Sequence, residues 1–294
     1  MYDIVIIGAG PAGLSAAVYG ARAGKNVLML EANMYGGQII NSSLVDNYPG
    51  VFKTDGYNFA KELYHQAINA GAKIKYEKVI SITEHQVNTV KASYQAKTII
   101  IASGVKKRSL GLPNEKELIG KGISYCATCD GNLYKGKTVA IVGGGNTALE
   151  EALYLADIAD KVYLIHRRDE YRGEEVMIKE VMDNHNIVKI NNVTVTKING
   201  ANKISSIELS DGSTLDIACL FIAIGQEPDN DFAKYHVNIN KLGFIDSDDC
   251  TTKTDYVFVA GDCRSKELRQ LVTATSDGAI AADKAIKYIN SHNL

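Results

Sequence analysis

The most reactive chemistry in the sequence lies in Tyr125-Cys126-Ala127-Thr128-Cys129-Asp130-Gly131. Two thiols separated by two residues close a disulfide with little distortion of the chain, and such a pair holds and releases two electrons. A thiol at the start of a helix ionises more readily, because the helix dipole and free amides favour the thiolate. The same pair could be half of a structural zinc site, which would need two further ligands, usually a second close pair. Cys219, Cys250 and Cys263 are isolated, and no pair of histidines stands at ligand spacing. The pair is therefore read as a redox dithiol and the other cysteines as buried packing. Asp130 beside it could act on a proton or simply cap a turn.

A dithiol needs a source of electrons, and the flanking sequence supplies two nucleotide-binding units. Asp3-Ile4-Val5-Ile6-Ile7 suits a buried parallel strand, and Gly8-Ala9-Gly10-Pro11-Ala12-Gly13 follows before a helix over 14–23. Gly8 permits the tight turn, Gly10 lets a pyrophosphate approach the backbone, and Gly13 lets helix and strand pack closely. A second strand over 26–30 ends in Glu31, whose carboxylate can accept from ribose hydroxyls and would repel a 2′-phosphate. The unit reads as an FAD or NAD site. Gly36-Gly37-Gln38-Ile39 could run against a flat ligand or be an ordinary loop, and Asp46-Asn47-Tyr48-Pro49-Gly50 is turn chemistry. An amphipathic helix is expected over 59–70, with Phe59, Leu63 and Ala67 on one face. Strand-like segments cover 73–93, and the apolar strand 98–102 exits through Ser103-Gly104.

A crossover is expected at Arg108-Ser109-Leu110-Gly111-Leu112-Pro113, just before the dithiol. The strand 138–142 then leads into a second fingerprint, Gly143-Gly144-Gly145-Asn146-Thr147-Ala148, and a helix over 150–156. The next strand, 161–165, ends in His166-Arg167-Arg168 where the first unit has Glu31. This reversal of charge suits a 2′-phosphate, and Arg172 is near enough to join it, so the second site reads as NADP(H). His166 could simply pack. After alternating short strands over 187–215, Leu220-Phe221-Ile222-Ala223-Ile224-Gly225 repeats the earlier strand-and-glycine exit. A second crossover is expected near Val237. The last strand, 256–260, delivers Gly261-Asp262 to the edge where such sheets bind ligands, and a final helix opens at Arg269-Gln270-Leu271. Asp262 could hold a ribityl or ribose hydroxyl, or cap a helix. The expected fold is α/β, with two Rossmann-like three-layer dinucleotide-binding domains, each with a small β insertion. The first domain is discontinuous (1–110 and 237–294) around the second (111–236).

At 294 residues the chain suits two ordinary domains. Its net charge of −2 argues against nucleic acid or a membrane surface as a main partner. Five mostly scattered cysteines suit a reducing cytosol, hence a cytoplasmic location. Residues 4–21 lack charge, but Asp3 precedes them and glycines interrupt them, which speaks against an export signal.

These residues together resemble the low-molecular-weight, bacterial-type thioredoxin reductases over nearly the whole chain. The likeness rests on Gly8 to Gly13, Gly36-Gly37-Gln38, Cys126-Ala127-Thr128-Cys129-Asp130, Gly143 to Ala148, His166-Arg167-Arg168, Gly261-Asp262 and Arg269-Gln270. The resemblance implies a homodimer with tightly bound FAD, NADPH as donor, and oxidised thioredoxin as acceptor. It also implies a rotation of the NADPH domain against the FAD domain. It assigns Cys129 as the flavin-proximal thiol, Cys126 as the thiol that attacks thioredoxin, and Asp130 as proton donor. It places FAD on Gly8, Gly10, Pro11, Ala12, Gly13, Glu31, Gly37, Gln38, Asn47, Ser103, Gly104, Gly261, Asp262, Arg269, Gln270 and Leu271. It places NADPH on Gly143, Gly145, Asn146, Thr147, Ala148, His166, Arg167, Arg168, Arg172, Ile224 and Gly225. Departures are small: Ser103 where Thr is common, Gly173 where Ala is common, and Thr275-Ser276 for the frequent Ala-Gly. Two other readings stand beside it: a ferredoxin or flavodoxin reductase, which needs no dithiol, and a non-catalytic redox sensor.

Overall fold

The computed structural model describes residues 1–42 and 44–292. It divides into two compact units, Met1–Lys106 with Glu227–Leu294, and Lys107–Gln226. The first unit opens with β1 (Tyr2–Ile7), α1 (Pro11–Arg22) and β2 (Val27–Glu31). α2 (Gly56–Asn69) starts where the Asp55 carboxylate accepts from the Asn58 N–H at 2.8 Å, satisfying one of the free first-turn amides. β3 (Lys73–Tyr76), β4 (Val79–Thr83), β5 (Gln86–Thr89) and β6 (Ser93–Ile101) follow. The sheet runs β3-β2-β1-β6-β5-β4. β3, β2, β1 and β6 are parallel, whereas β5 and β4 form an antiparallel hairpin on the start of β6. Residues 4–7 of β1, 27–30 of β2 and the end of β6 are unbroken apolar runs because both faces are covered: Ile4, Ile6, Leu28, Met29, Ile99, Ile100 and Ile101 are all buried.

The second unit contains β7 (Ile123–Ser124), the one-turn helix α3 (Ala127–Asp130), β8 (Thr138–Gly143), α4 (Asn146–Ala156) and β9 (Lys161–His166). α5 (Glu175–Asp183), β10 (Ile187–Asn191), β11 (Val195–Asn199), β12 (Ser206–Leu209), β13 (Thr214–Asp216) and β14 (Cys219–Ala223) complete it. Its main sheet is parallel throughout, in the order β10-β9-β8-β14-β7. One face packs Val139, Ile141 and Phe221 against Leu149, Ala152 and Leu155 of α4. The other packs Ala140, Ile165 and Leu220 against Ile198, Ile207 and Leu209 of the antiparallel insertion β11-β12-β13.

The chain then returns to the first unit. The second crossing falls at Gln226/Glu227, ahead of the position near Val237 expected from the sequence. The reason is packing: Ala233 and Val237 are buried in the same core as Val79, Ile82 and Ile245. Asn230 is fixed there too, its amide donating to Gly243 O at 2.9 Å and Cys263 O at 3.2 Å. The first crossing, at Lys106/Lys107, also precedes the expected segment. β15 (Val257–Val259) pairs in parallel with the end of β6. α6 (Leu271–Ser291) begins two residues later than expected, because Gln270 is its cap and donates its N–H to Thr273 Oγ1 at 3.1 Å. α6 lies close along α1. A Cβ on Gly278 would stand 2.1 Å from Ala12 O, and the Ser15 hydroxyl donates to Thr275 O at 2.7 Å. Ala281, Ala282, Ala285 and Ile289 of α6 share one core with Leu14, Ala17 and Val18 of α1.

Candidate active site

Cys126 caps α3, so both cysteines sit on its single turn, half-buried, and are joined as a disulfide with Cα atoms 5.3 Å apart. The Asp130 N–H closes the turn on Cys126 O at 3.1 Å. Ser124, the last residue of β7, ties the turn together: its Oγ accepts from the Cys126 N–H at 3.1 Å and donates to Asp130 Oδ2 at 2.7 Å. Burial pushes the Asp130 carboxyl above the usual range, against the lowering pull of Ser124 and Lys107. Asp130 Oδ1 is buried without a hydrogen-bond partner among the described residues. The three other cysteines are buried free thiols, and burial pushes Cys250 up to about 12 and raises Cys219 and Cys263 as well. The accessible sulfur chemistry therefore belongs to Cys126 and Cys129.

Two carboxylates that the sequence reading passed over hold this turn. Glu115, only 2% exposed, accepts from the Tyr125 hydroxyl at 2.6 Å and from the N–H groups of Leu110, Gly111 and Leu112 at 3.1, 2.9 and 3.3 Å. Lys107 donates to Tyr125 O at 2.7 Å, so the residue before Cys126 is held at both ends. Glu151, on α4, accepts from the Ala127 N–H between the two cysteines at 3.2 Å. Its other oxygen is buried without a hydrogen-bond partner among the described residues, and burial pushes its carboxyl up to about 7. Helical spacing was the available signal: Glu151 lies on the same side of α4 as buried Ala148 and Leu155. Glu115 lies in a loop and gave none.

In the first unit the residues read as FAD contacts converge at one edge of the sheet. Gly8 has φ +102°, and a Cβ there would meet Ala102 O at 2.3 Å; one on Gly13 would meet Gly8 O at 2.0 Å. Both positions require glycine. Glu31 is turned onto this loop, accepting from the N–H groups of Ala9 at 2.8 Å and Asn33 at 2.9 Å. The Gly36 N–H donates to Ala9 O at 2.7 Å, which brings Gly37 against Gly10 and Pro11. The Gln38 amide donates to Val105 O beside Ser103 and Gly104, and Ser103 donates to Asn230 Oδ1 at 2.9 Å. Gly261 packs on Ala12, and its N–H donates to Asp277 Oδ2 at 3.0 Å. Asp277, also unforeseen, is buried and pairs with Arg264 at 3.0 Å and Lys266 at 2.8 Å. Arg269 donates to Asp262 O at 3.3 Å, with its guanidinium over the Phe244 ring. Gln270 Oε1 accepts from Asn47 at 3.1 Å, immediately before Leu271. Among the described residues α1 has no side-chain cap at Gly10, and no atom beyond the adjacent residues lies within 4 Å of where a Cβ on Gly104 would stand. Free first-turn amides beside bare backbone fit the phosphates of a dinucleotide.

The second glycine loop is built the same way. A Cβ on Gly143 would meet Ala223 O at 2.4 Å and Ala148 Cβ at 2.6 Å, so the ends of β8 and β14 and the start of α4 meet there. Ile224 and Gly225 leave β14 beside it, with Gly225 O accepting from the Arg108 N–H at 3.1 Å. α4 likewise has no side-chain cap at Gly145, and its Asn146 and Thr147 are exposed. His166 is buried with its ring against Gly144, stacked on Tyr171, and bonded to Glu170 O at 3.1 Å, so it shapes the loop from beneath. Arg167, Arg168 and Arg172 are exposed, and none forms an ion pair among the described residues. The Arg172 N–H donates to Gly144 O at 2.6 Å and the Glu174 N–H to Asn146 Oδ1 at 2.9 Å, fixing this segment to the loop. Gly173 has a local reason: a Cβ would stand 2.3 Å from Leu149 Cδ1 and 3.0 Å from Asn146 Oδ1. The loop and its free cations fit a phosphorylated dinucleotide.

Comparison with known proteins agrees with this construction. The family model described as pyridine nucleotide-disulphide oxidoreductase matches residues 2–278. A thioredoxin reductase of Mycoplasma genitalium is 41% identical, covering 97% of this chain and 94% of its own. One from Treponema pallidum is 38% identical, covering 99% of this chain and 98% of its own. The crystal structure of a thioredoxin reductase from Streptococcus pyogenes superposes with a TM-score of 0.94 at 36% identity, covering 99% of both chains. The chain belongs to the pyridine nucleotide-disulphide oxidoreductases and, within them, to the thioredoxin reductases, flavoproteins that use FAD and NADPH.

Proposed function

We propose that the unit Met1–Lys106 with Glu227–Leu294 holds FAD and the unit Lys107–Gln226 holds NADPH, and that Cys126, Cys129 and Asp130 carry the dithiol chemistry. Glu31 facing the first loop suits an unphosphorylated ribose, and exposed Arg167, Arg168 and Arg172 at the second suit a 2′-phosphate. When bound, FAD and NADPH supply the electron pair that opens the Cys126–Cys129 disulfide. The reduced Cys126 sulfur attacks one sulfur of oxidised thioredoxin, forming a mixed disulfide and releasing the other as a thiolate. The Cys129 sulfur then attacks Cys126, restores the disulfide, and releases dithiol thioredoxin, so two electrons leave and two protons are taken up. Asp130 holds a proton beside the turn to higher pH than an ordinary aspartic acid and gives it to a departing sulfur.

The observation that carries this reading is the disulfide on α3, placed with Asp130 in the same unit as the second glycine loop. The test is Cys126→Ser studied without oxygen. NADPH is expected still to bleach the flavin while thioredoxin reduction is lost, and retained thioredoxin turnover would refute the assignment. The reading extends to a homodimer and a cytoplasmic location. Family resemblance supports the first, and three buried unpaired thiols support the second. Among the described residues no helix is long and apolar enough to cross a membrane.

A further inference from the structure

Glu151 has no part in the mechanism above, yet it lies directly behind the dithiol. It projects from α4, and its Oε1 accepts from the Ala127 N–H at 3.2 Å. Ala127 follows Cys126 and is two residues before Cys129, so covalent geometry keeps both sulfurs within about 8 Å of that amide. Glu151 Oε2 is buried with no hydrogen-bond partner among the described residues. A buried carboxylate normally has both oxygens satisfied. Here one oxygen is spent on the dithiol turn and the other is left with room for a proton. The charged groups that act on it are Lys107, which favours the ionised form, and its neighbour Glu150, which opposes it. Asp130 lies at the end of α3, which packs on α4.

We propose that Glu151 is a positioning residue for the dithiol, and that its ionised carboxylate, fixed behind the Cys126–Cys129 turn, suppresses thiolate formation in the reduced pair. Reduction breaks the S–S bond with two electrons from the reduced flavin and leaves two sulfur anions. Protons from solvent neutralise one or both. A carboxylate within reach of these anions repels them through a poorly screened interior, so protonation of Glu151 and persistence of a thiolate are linked. By reciprocity, each favours the other. The carboxyl changes charge near neutral pH, the range in which the linkage would act on turnover. The proposal rests on Cys126–Cys129 being the redox pair, but it does not depend on the identity of the acceptor.

The experiment is pulse labelling of the reduced, FAD-loaded protein with iodoacetamide between pH 5 and 9, with labelling of the Cys126–Cys129 peptide read by mass spectrometry. Wild type is expected to show thiol ionisation with an inflection near pH 7. E151Q keeps an acceptor for the Ala127 N–H but cannot ionise. It is expected to lose the inflection and to label faster at pH 8 by about threefold to tenfold, the effect of a thiol shift of up to one unit. A purely structural Glu151 would be replaced by glutamine without change, so an E151Q profile matching wild type overturns the proposal. Should E151Q fail to fold, D130N decides: it retains Glu151, and absence of the inflection near pH 7 in D130N is equally fatal. Failure of the redox reading itself is separate, because it appears as thioredoxin turnover in C126S.

Discussion

Asp130 ends the short dithiol turn and Glu151 reaches the same turn from α4, and their surroundings suit them to different tasks. Asp130 shares Ser124 with the Cys126 amide, so its proton is coupled to the position of Cys126, the thiol proposed to attack. Its carboxyl is raised by burial, which means the acid form persists upward in pH from the ordinary value of 3.8. If that form donates the proton, thioredoxin turnover is full below the raised value and falls as pH rises through it. Asp130→Asn cannot donate, and a pH–rate series on it is expected to show turnover about 10²–10⁴ lower without that falling limb. Turnover within tenfold of wild type would remove Asp130 from the proton path. Residue types and spacing made the dithiol and both glycine loops legible. The supporting acids were only partly so. Asp277 lies on the buried side of α6 with Ala274 and Ala281, as Glu151 does on α4, so periodicity could have marked both. Glu115 could not be found that way, because it lies in a loop with no helical or strand period, where it accepts from the nearby amides of residues 110–112 and from the Tyr125 hydroxyl ten residues on.

At the scale of elements, the same strand–loop–helix device is tuned twice to opposite charge. In the first copy a carboxylate is drawn onto the loop by the Ala9 N–H; in the second, a buried imidazole supports the loop and the guanidinium groups stay outside. Arg167 and Arg168 are exposed at the end of β9, so replacing both by alanine leaves the packing of the sheet intact. The double variant is expected to raise KM for NADPH by roughly 10–100-fold, the loss of charge-assisted hydrogen bonds, with KM for NADH nearly unchanged. An equal rise for both nucleotides would show that the cations do not read the 2′-phosphate. The helix boundaries were less legible than the strands. Gln270 caps α6 by donating its N–H to the Thr273 side chain, a polar contact that no apolar period marks, and Arg269 is kept out of the helix by its bond to Asp262 O and its seat over Phe244.

At the scale of the molecule, the two units differ in how the chain builds them. Lys107–Gln226 is one continuous segment with a core on each face of its own sheet. The other unit takes β15 and α6 from the far end of the sequence, and α6 covers α1. A fragment of residues 107–226 is therefore expected to melt cooperatively by circular dichroism, whereas a fragment of residues 1–106 is not. A non-cooperative 107–226 fragment would mean that its own cores are insufficient. Domain duplication was readable from the repeated strand-and-glycine exits, but the second crossing was not. The segment 227–237 has little periodicity, and only the burial of Ala233 and Val237 shows which unit it joins.

The late arrival of α6 also has a meaning in time. A ribosome adds roughly 5–20 residues per second, so the 65 residues from Glu227 to Ser291 take roughly 3–13 seconds after the dithiol unit has been synthesised. Throughout that interval Leu14, Ala17 and Val18 lack the helix that shields them. The nascent protein thus carries a finished thiol-bearing module while its first nucleotide module is still sticky and open. If this unit holds the flavin as proposed, capture waits for α6 to be made, and until then the apolar side of α1 is the surface a chaperone would meet first.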